Sequence, residues 1–347
     1  MSKLGKLLLI FGIIAFISAI AFGISIAAFG VSNGNYGIVL FGNRIPFLSV
    51  GATPQVVYTD NVTVYTFDYE SGRTYEQSFE ALSLNDINIE TASAQTTITC
   101  SETDNVYVKY TAGSAKMRFT AEMKNGKFTA TETGVFGIFS FGSTQPAQLE
   151  IKLPAKLYND VHVAVASGRM SADGIIADKM NIELASGELD LKVFAKKIYY
   201  SAASGHGTVT NCTEDTADDI QIHTASGGQE FSGFTARQTN VDIASGYVTM
   251  RGISGKVEAD IASGRIELDY AEWNDRLEID LMSGKADVKL PAGSGLDLDF
   301  DRASGGMDIS LDNDVVSLNK DSGGSYGGSN RHDAEIDVAS GHVSIHN

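Results

Sequence analysis

The carboxylates of this sequence stand at spacings that could support acid–base chemistry. Asp218 and Asp219 are adjacent, and Asp297, Asp299 and Asp301 alternate along one segment. Enzymes that cleave polysaccharides use paired acids to protonate a leaving group and to activate a nucleophile. Alternate carboxylates are also the outward half of an ordinary β-strand, because successive side chains point to opposite faces. Since no feature of the sequence distinguishes one acid as a proton donor, the pattern favours an exposed strand face.

Serine offers a second chemistry, because Ser-Gly pairs recur through the second half of the chain. The residues of these pairs are Ser167, Gly168, Ser186, Gly187, Ser204, Gly205, Ser226, Gly227, Ser245, Gly246, Ser263, Gly264, Ser283, Gly284, Ser304, Gly305, Ser340 and Gly341. Nine equivalent serines cannot all be nucleophiles, and no histidine or acid recurs beside them to act as a base. We therefore predict that the pairs are structural corners and that the chain has no catalytic residue.

The spacing of these pairs predicts the architecture that positions them. Successive serines are separated by 19, 18, 22, 19, 18, 20, 21 and 36 residues. A period of about 19 residues is typical of a solenoid, in which each unit buries its apolar face against its neighbours. We interpret the last step as two units of 18 residues with one degenerate corner between them.

Apolar and polar residues alternate on both sides of each pair, which predicts strands with one buried face. Val241 and Ile243 precede one Ser-Gly pair, for example, and Ile266 and Leu268 follow another. The inward parity changes across Ser-Gly, so the chain is expected to bend there. These patterns together predict an all-β fold, a parallel β-solenoid (β-helix) with coils of about 19 residues and an Ala-Ser-Gly corner in each.

Stacking of the predicted coils would explain why the corner residues are small. Equivalent atoms of neighbouring strands lie about 4.8 Å apart, so a large side chain would clash with the next coil. Glycine adopts backbone conformations that other residues resist, and a serine hydroxyl can satisfy a buried peptide group at the bend.

Histidine and cysteine form no pattern for a metal or a cofactor. His206 and His342 follow Ser-Gly pairs at positions that elsewhere hold Arg, Glu, Gly, Tyr or Lys, which indicates a solvent-facing column. Cys100 and Cys212 lack the close spacing of zinc ligands, and a disulfide between them stays open. We predict no metal site and no cofactor.

The N-terminal segment differs from the repeats. Residues 7–30 are uncharged and mostly apolar, and as a helix they are long enough to cross a hydrocarbon core of about 30 Å. Because Lys3 and Lys6 precede them, the positive-inside rule predicts one transmembrane helix, with a cytoplasmic stub at residues 1–6 and the remaining chain outside. Cleavage near Ala21, as in a signal peptide, is the alternative.

The charge balance argues against nucleic acid as a partner. The chain carries a net charge of −17 with 43 acidic residues, and all of the acids lie beyond residue 30. Such a surface repels phosphate backbones and anionic lipids. It indicates solubility, with weak binding of divalent cations or of a cationic partner as the alternative.

Three segments carry a resemblance to a known bacterial family. Residues 152–170 and 289–307 both contain Leu-Pro-Ala, with the Leu 14 residues before a corner Ser, and residues 87–110 resemble a first corner with Ala94 in the glycine position. Over residues 82–347 the sequence resembles the "putative adhesin" family of β-strand-repeat domains, a domain of unknown function. The resemblance implies a β-solenoid at the cell envelope, and it transfers no functional residues.

The chain is expected to have three further segments after the stub and the anchor. They are a juxtamembrane linker at 31–55, an irregular capping region with the first coils at 56–150, and regular β-solenoid repeats at 151–347. The apolar segment 134–142 is interpreted as a strand or hairpin that covers the first coils, with an exposed contact loop as the alternative. The long step between Ser304 and Ser340, which includes the glycine-rich segment 320–330, is expected to contain a flexible loop.

The sequence as a whole predicts a non-enzymatic cell-surface module, adhesive or scaffolding, at the bacterial envelope. It would be a single-pass protein of the cell membrane with an extracellular C-terminal domain. Its expected partners are the membrane, through residues 7–30, and an envelope protein or cell-wall polymer. An envelope-stress or signalling accessory that contacts another membrane protein is the alternative, and a polysaccharide-active enzyme is the third hypothesis.

Overall fold

The computed structural model describes residues 35–40, 43–49, 57–59, 62–64, 74–113, 117–134, 145–312 and 314–347. These residues form β-strands and turns without a helix, so the predicted all-β class is confirmed for the described part of the chain. Within the same residues, no helix is long and apolar enough to span a bilayer. The expected anchor at 7–30 and nearly all of the segment 134–142 lie outside the described residues.

The described strands fall into two compact units, an N-terminal unit that ends at Ala195 and a C-terminal unit that begins at Lys196. The strands that begin in the N-terminal unit are β1 (Asn35–Leu40), β2 (Asn43–Ser49), β3 (Val57–Thr59), β4 (Val62–Val64), β5 (Thr74–Glu80), β6 (Asp86–Thr91), β7 (Gln95–Ser101), β8 (Asn105–Thr111), β9 (Met117–Lys124), β10 (Lys127–Gly134), β11 (Gln148–Pro154), β12 (Leu157–Val165), β13 (Arg169–Leu184) and β14 (Glu188–Ala202). The strands of the C-terminal unit are β15 (His206–Asn211), β16 (Ala217–Thr224), β17 (Gly228–Ser232), β18 (Thr235–Ile243), β19 (Tyr247–Ile261), β20 (Arg265–Tyr270), β21 (Leu277–Leu281), β22 (Lys285–Lys289), β23 (Ser294–Arg302), β24 (Gly306–Leu311), β25 (Asp314–Leu318), β26 (Ser322–Gly327), β27 (Asn330–Val338) and β28 (His342–His346).

Parallel pairing in the C-terminal unit joins each strand to a strand about one repeat away. Strands that precede the Ser-Gly corners form one series, in which β16 pairs with β18, β18 with the end of β19, and β19 with β21. Strands that follow the corners form a second series, which runs from β15 through β17, β19 and β20 to β22. The structure is therefore a strand-rich, repeat-like fold in which equivalent positions of successive repeats are neighbours.

The C-terminal segment breaks the order of the sequence. β27 lies between β21 and β23 and is parallel to both, and β28 lies in the same way between β22 and β24. The repeat at residues 330–346 is thus inserted between the repeat at 277–289 and the repeat at 294–311. The interpretation of the 36-residue step as two successive units is wrong, because the chain leaves the series after β24 and returns one repeat earlier.

The segment between β24 and β27 contains two antiparallel strands. β25 pairs antiparallel with β24, and β26 pairs antiparallel with β23. β26 occupies most of the glycine-rich segment 320–330. An unpaired edge of β23 would leave backbone N–H and C=O groups without partners, and β26 supplies these partners despite its glycines.

The N-terminal unit has a related arrangement. β6 lies between β10 and β12, and β7 lies between β11 and β13, in all cases with parallel pairing. β12 continues the series by pairing with the second half of β13. Antiparallel strands cover the other side, since β9 pairs with β10, β8 with β11, and β5 with β8.

The predicted alternation matches the buried core. Val241, Ile243, Ile266 and Leu268 are all at most 1 % exposed, as expected for the inward half of each strand. Burial of a side chain of this size contributes about 1.5–3 kcal/mol relative to exposure in water. The apolar half of each strand therefore fixes which side chains face solvent, and the candidate sites are built from the other half.

Candidate functional site

The serines of the corners are part of a hydrogen-bonded ladder between repeats. The backbone N–H and the hydroxyl of Ser263 both donate to the carbonyl of Ala244, at 2.9 and 3.1 Å. Equivalent hydroxyl bonds run from Ser167 to Ala92, Ser186 to Ala166, Ser245 to Ala225, and Ser304 to Ala339. Since these hydroxyl protons are donated to backbone carbonyls, the arrangement stabilises the bend and does not prepare a nucleophile.

The other corner serines occupy matching positions. The backbone N–H groups of Ser283 and Ser340 donate to the carbonyls of Ala262 and Met282. Ser204 and Ser226 stand at the bends before β15 and β17, where Gly228 donates to Gly205. Within each compact unit, the structure thus brings the predicted corner residues of successive repeats together in a column.

Close approach between backbones explains the corner glycines. A Cβ atom on Gly246 would lie 2.6 Å from the carbonyl oxygen of Gly227, closer than real Cβ contacts allow. Equivalent Cβ atoms would lie closer still to a neighbouring carbonyl at Gly168, Gly187, Gly227, Gly264, Gly284 and Gly305. Among the glycines of the corner pairs, only Gly205 and Gly227 have a positive φ, at 98° and 84°.

A buried glutamate, which the sequence analysis missed, completes the corner at residues 92–94. Oε2 of Glu132 accepts hydrogen bonds from the backbone N–H groups of Ala92, Ser93 and Ala94, at 3.1, 2.9 and 2.8 Å. The side chain is 0 % exposed, and burial raises the pKa of its carboxyl, although these N–H groups and the Tyr110 hydroxyl favour the charged form. One sequence signal was available, because Glu132 continues the inward parity of two apolar residues of β10.

The residues that follow the corners line an open groove of about 1080 Å³ in the C-terminal unit. Its walls include His206, Tyr247, Arg265 and Lys285, as expected for a solvent-facing column. Arg265 pairs with Glu267 at 2.6 Å, and such exposed ion pairs contribute at most about 1 kcal/mol. The groove is a varied polar surface above a floor of Ser-Gly corners.

The remaining histidine and cysteine candidates are dispersed. Nε2 of His342 lies 3.1 Å from Oδ2 of Asp308. Cys100 is half-buried, and Cys212 is exposed. Within the described residues, no group of three or more His, Cys, Asp or Glu side chains is arranged to hold a metal ion.

The outward face of the first strand series carries a column of aspartates. Residues Asp242, Asp260, Asp280, Asp337 and Asp301 are partners on successive parallel strands, in this order. Burial, together with Asp242, Asp280, Glu258 and Glu278, raises the pKa of Asp260 to about 7. The sequence contains the signal, because each of these aspartates stands three residues before a corner serine.

The acids singled out from the sequence do not converge on one site. Asp301 belongs to the aspartate column, whereas Asp297 accepts a hydrogen bond from the Ser325 hydroxyl at 2.6 Å. Asp218 lies on β16, with its Oδ1 atom 3.5 Å from Nε of Arg237. These acids therefore lie on outward strand faces, which is the interpretation that the sequence pattern favoured over a catalytic pair.

A half-buried polar pocket lies on the N-terminal unit. Its volume is about 450 Å³, and its lining is Asp86, Ile87, Asn88, Glu90, Lys127, Asp160, His162 and Asn181. We call it the His162 pocket. Burial lowers the pKa of His162, an effect that Lys127 reinforces, and burial raises the pKa of Glu90.

The fold and the corners define the class as an all-β repeat protein whose Ser-Gly pairs are built into a ladder of stacked bends. The chain belongs to the Toastrack DUF4097 family, whose model matches residues 84–346. This match confirms the resemblance that the Leu-Pro-Ala segments and the corners carry.

Several solved structures are similar to this chain. A "putative adhesin" of Parabacteroides distasonis is 14% identical over 79% of this chain and 97% of its own, with a TM-score of 0.48. A "putative adhesin" of Bacteroides fragilis is 12% identical over 79% and 98%, with a TM-score of 0.40. A "putative lipid binding protein" of Parabacteroides distasonis is 14% identical over 80% and 98%, with a TM-score of 0.46. Among curated proteins, none matches the chain significantly.

Proposed function

We propose that this protein is a parallel β-solenoid, anchored in the bacterial cell membrane by residues 7–30, that acts as a non-enzymatic adhesive or scaffolding module outside the cell. The parallel pairing of each repeat with its neighbours supports the solenoid. The uncharged N-terminal segment and the preceding lysines support the anchor and its orientation.

The observation that carries the proposal is the in-register display of polar side chains on stacked strands. The aspartate column repeats one kind of group at the strand spacing of about 4.8 Å, whereas the corner serines are used internally. A regular row of equivalent groups suits an extended partner that makes many weak contacts, because linked contacts strengthen one another. A row of this kind does not provide the distinct acid, base and nucleophile of an enzyme site.

The aspartate column also supports the alternative function, that of an accessory to another membrane protein. An acidic face attracts a partner with a basic segment and speeds its association. The two functions differ in the partner, since an adhesin contacts material outside its own cell and an accessory contacts a protein in the same membrane.

Cells that express the full chain with a C-terminal tag test the proposal. External protease should remove the tag from intact cells, and the chain should stay in the membrane fraction after alkaline extraction. Cells that lack the protein should adhere less to envelope fragments of other cells, and the full chain should restore adhesion. A matched chain with Ile13→Lys and Ile14→Lys should fail to restore adhesion because its anchor is broken.

Two results would contradict the proposal. A tag that resists external protease, yet is digested after lysis, would place the domain inside the cell. Unchanged adhesion of cells without the protein, together with capture of one membrane protein by crosslinking in intact cells, would favour the accessory function.

A further inference from the structure

The His162 pocket is lined by polar side chains that the pairing of the strands does not require. Its polar side chains lie on the outward face of β10, β6, β12 and β13, where three rows cross the strands. The middle row consists of Asn88, His162 and Asn181, which are register partners on three successive strands. The backbones of neighbouring members of the row are therefore about 4.8 Å apart, which is the spacing between adjacent strands.

The two flanking rows give the pocket its shape and its charge. One row reads Lys127, Asp86, Asp160 and Lys179, so two acids stand between two bases and the row is balanced in charge. Nζ of Lys179 lies 3.6 Å from Oδ2 of Asp160. The other row contains Glu90, Ala164 and Glu183, of which Glu90 lines the pocket.

Hydrogen bonds orient the two amides of the middle row. Nδ2 of Asn88 donates to Glu90 at 3.0 Å, and Nδ2 of Asn181 donates to Asp160 at 3.0 Å. These bonds fix the amide planes before any ligand binds, which reduces the entropy lost on binding. Because burial lowers the pKa of His162, its imidazole is neutral at neutral pH and offers one donor and one acceptor.

We infer that the His162 pocket binds a neutral, hydroxyl-rich saccharide unit of an envelope glycan, with Asn88, His162 and Asn181 as its main contacts. The inference rests on the proposed function at the cell surface and gives that function a ligand class. A sugar hydroxyl both donates and accepts hydrogen bonds, as do the neutral groups of the middle row. Glu90, which lines the pocket from the flanking row without a base, disfavours an anionic ligand.

A binding experiment with the full chain in detergent micelles tests the pocket. The probes are tri-N-acetylchitotriose and cellotriose, as soluble neutral saccharides, and spermidine, as a polyamine that would instead pair with the acids. Binding is measured by isothermal titration calorimetry and by saturation transfer to the protons of the saccharide. We expect one of the two saccharides to bind and spermidine not to compete with it.

The variant pair Asn88→Ala and Asn181→Ala should weaken saccharide binding about tenfold, since it removes two oriented polar groups. The matched control is Gln221→Ala with Asn240→Ala, two amides at the corresponding outward positions of the C-terminal unit. The control should change binding less than about twofold. Both chains should unfold at the temperature of the unchanged protein, because the altered side chains are only partly buried.

Three results would overturn the inference. They are the absence of binding by both saccharides, equal loss of binding in the two variant pairs, and spermidine binding that the Asn88→Ala and Asn181→Ala pair abolishes. A chain that fails here but still supports adhesion of cells contradicts only the saccharide site. A chain that binds the saccharide but contributes nothing to adhesion supports the site and contradicts the adhesive function.

Discussion

The corner glycines are required by contacts between repeats more than by their own backbone angles. Gly246 has no positive φ, yet a side chain there would meet the carbonyl oxygen of Gly227 and a methyl group of Thr224. Both neighbours belong to the preceding repeat and are held by its own pairing. A substitution at such a position therefore strains two repeats at once.

Replacing Gly246 with Ala should destabilise the protein by about 2 kcal/mol, in the usual range for an overpacked site. Denaturant unfolding measures this loss. The control is Gly306→Ala, where the nearest atom to an added Cβ would be 3.4 Å away, an ordinary contact. It should change stability by less than about 0.5 kcal/mol. Equal effects of the two substitutions would show that the Ser-Gly corners are not closely packed.

At the scale of the element, the parallel pairing of strands places carboxyl groups of the same kind next to one another, so each affects the pKa of its neighbour. The carboxyl of Asp260 has acids on both neighbouring strands, Asp242 on β18 and Asp280 on β21. Glu258 and Glu278 add further negative charge. At one end of the column, Nδ1 of His223 lies 2.6 Å from Oδ2 of Asp242. The proton on Asp260 is therefore held more tightly than in an unfolded chain.

This column predicts how stability depends on pH. The pKa of Asp260 is about 7 in the folded protein and 3.8 in the unfolded reference. Its protonated form therefore stabilises the fold fully below about pH 3.8, and this contribution is lost as the pH rises to about 7. Asp260→Asn, which is neutral throughout, should be more stable than the unchanged protein at pH 8 and equal to it at low pH.

Denaturant unfolding across this pH range provides the measurement. Asp190→Asn is a suitable control because Asp190 is exposed on β14, in a position outside the column. It should leave the pH dependence unchanged. An Asp260→Asn chain that loses stability between pH 4 and pH 7 as steeply as the unchanged protein would contradict the coupled column.

At the scale of the whole molecule, the inserted C-terminal repeat makes the C-terminal unit depend on residues far apart in sequence. β27 supplies hydrogen bonds to β21 on one side and to β23 on the other. The repeat at 294–311 consequently reaches the rest of its series through residues 330–346. Contacts between such distant segments form late, because closing a long loop costs entropy before any contact forms.

A chain that ends at residue 329 should lose the order of residues 290–329 as well. Limited proteolysis with mass spectrometry should show cuts throughout that segment, while the strands up to β22 stay protected. The control is deletion of residues 314–327, which removes β25 and β26 but keeps the inserted repeat. It should leave β27 and β28 protected, and it should leave β23 and β24 more protected than they are in the shortened chain, because their pairing with β27 and β28 is kept. Equal protection of 294–311 in the shortened and the full chain would contradict the insertion.

The repeat pattern determined much of this fold by itself. Alternation at each flank identified the buried residues, such as Val241 and Ile266, because a strand has only two faces and water selects the polar one. The period of the Ser-Gly pairs identified the corners, because stacked backbones leave no space for a side chain at Gly246. Both patterns are local and recur in each repeat, so a single sequence provides several independent examples of each pattern.

The tertiary structure alone decided which segments become neighbours where the period fails. Residues 330–346 lie between two earlier repeats because their strands pair with strand edges there. The spacing of the serines does not predict this position. Glu132 reaches the N–H groups of residues 92–94 only because β10 pairs with β6. The His162 pocket likewise exists because β6 and β12 are adjacent, although the register partners Asp86 and Asp160 are 74 positions apart in the sequence. Long-range pairing is set by the energy of the whole chain, and for that reason these sites required the structure.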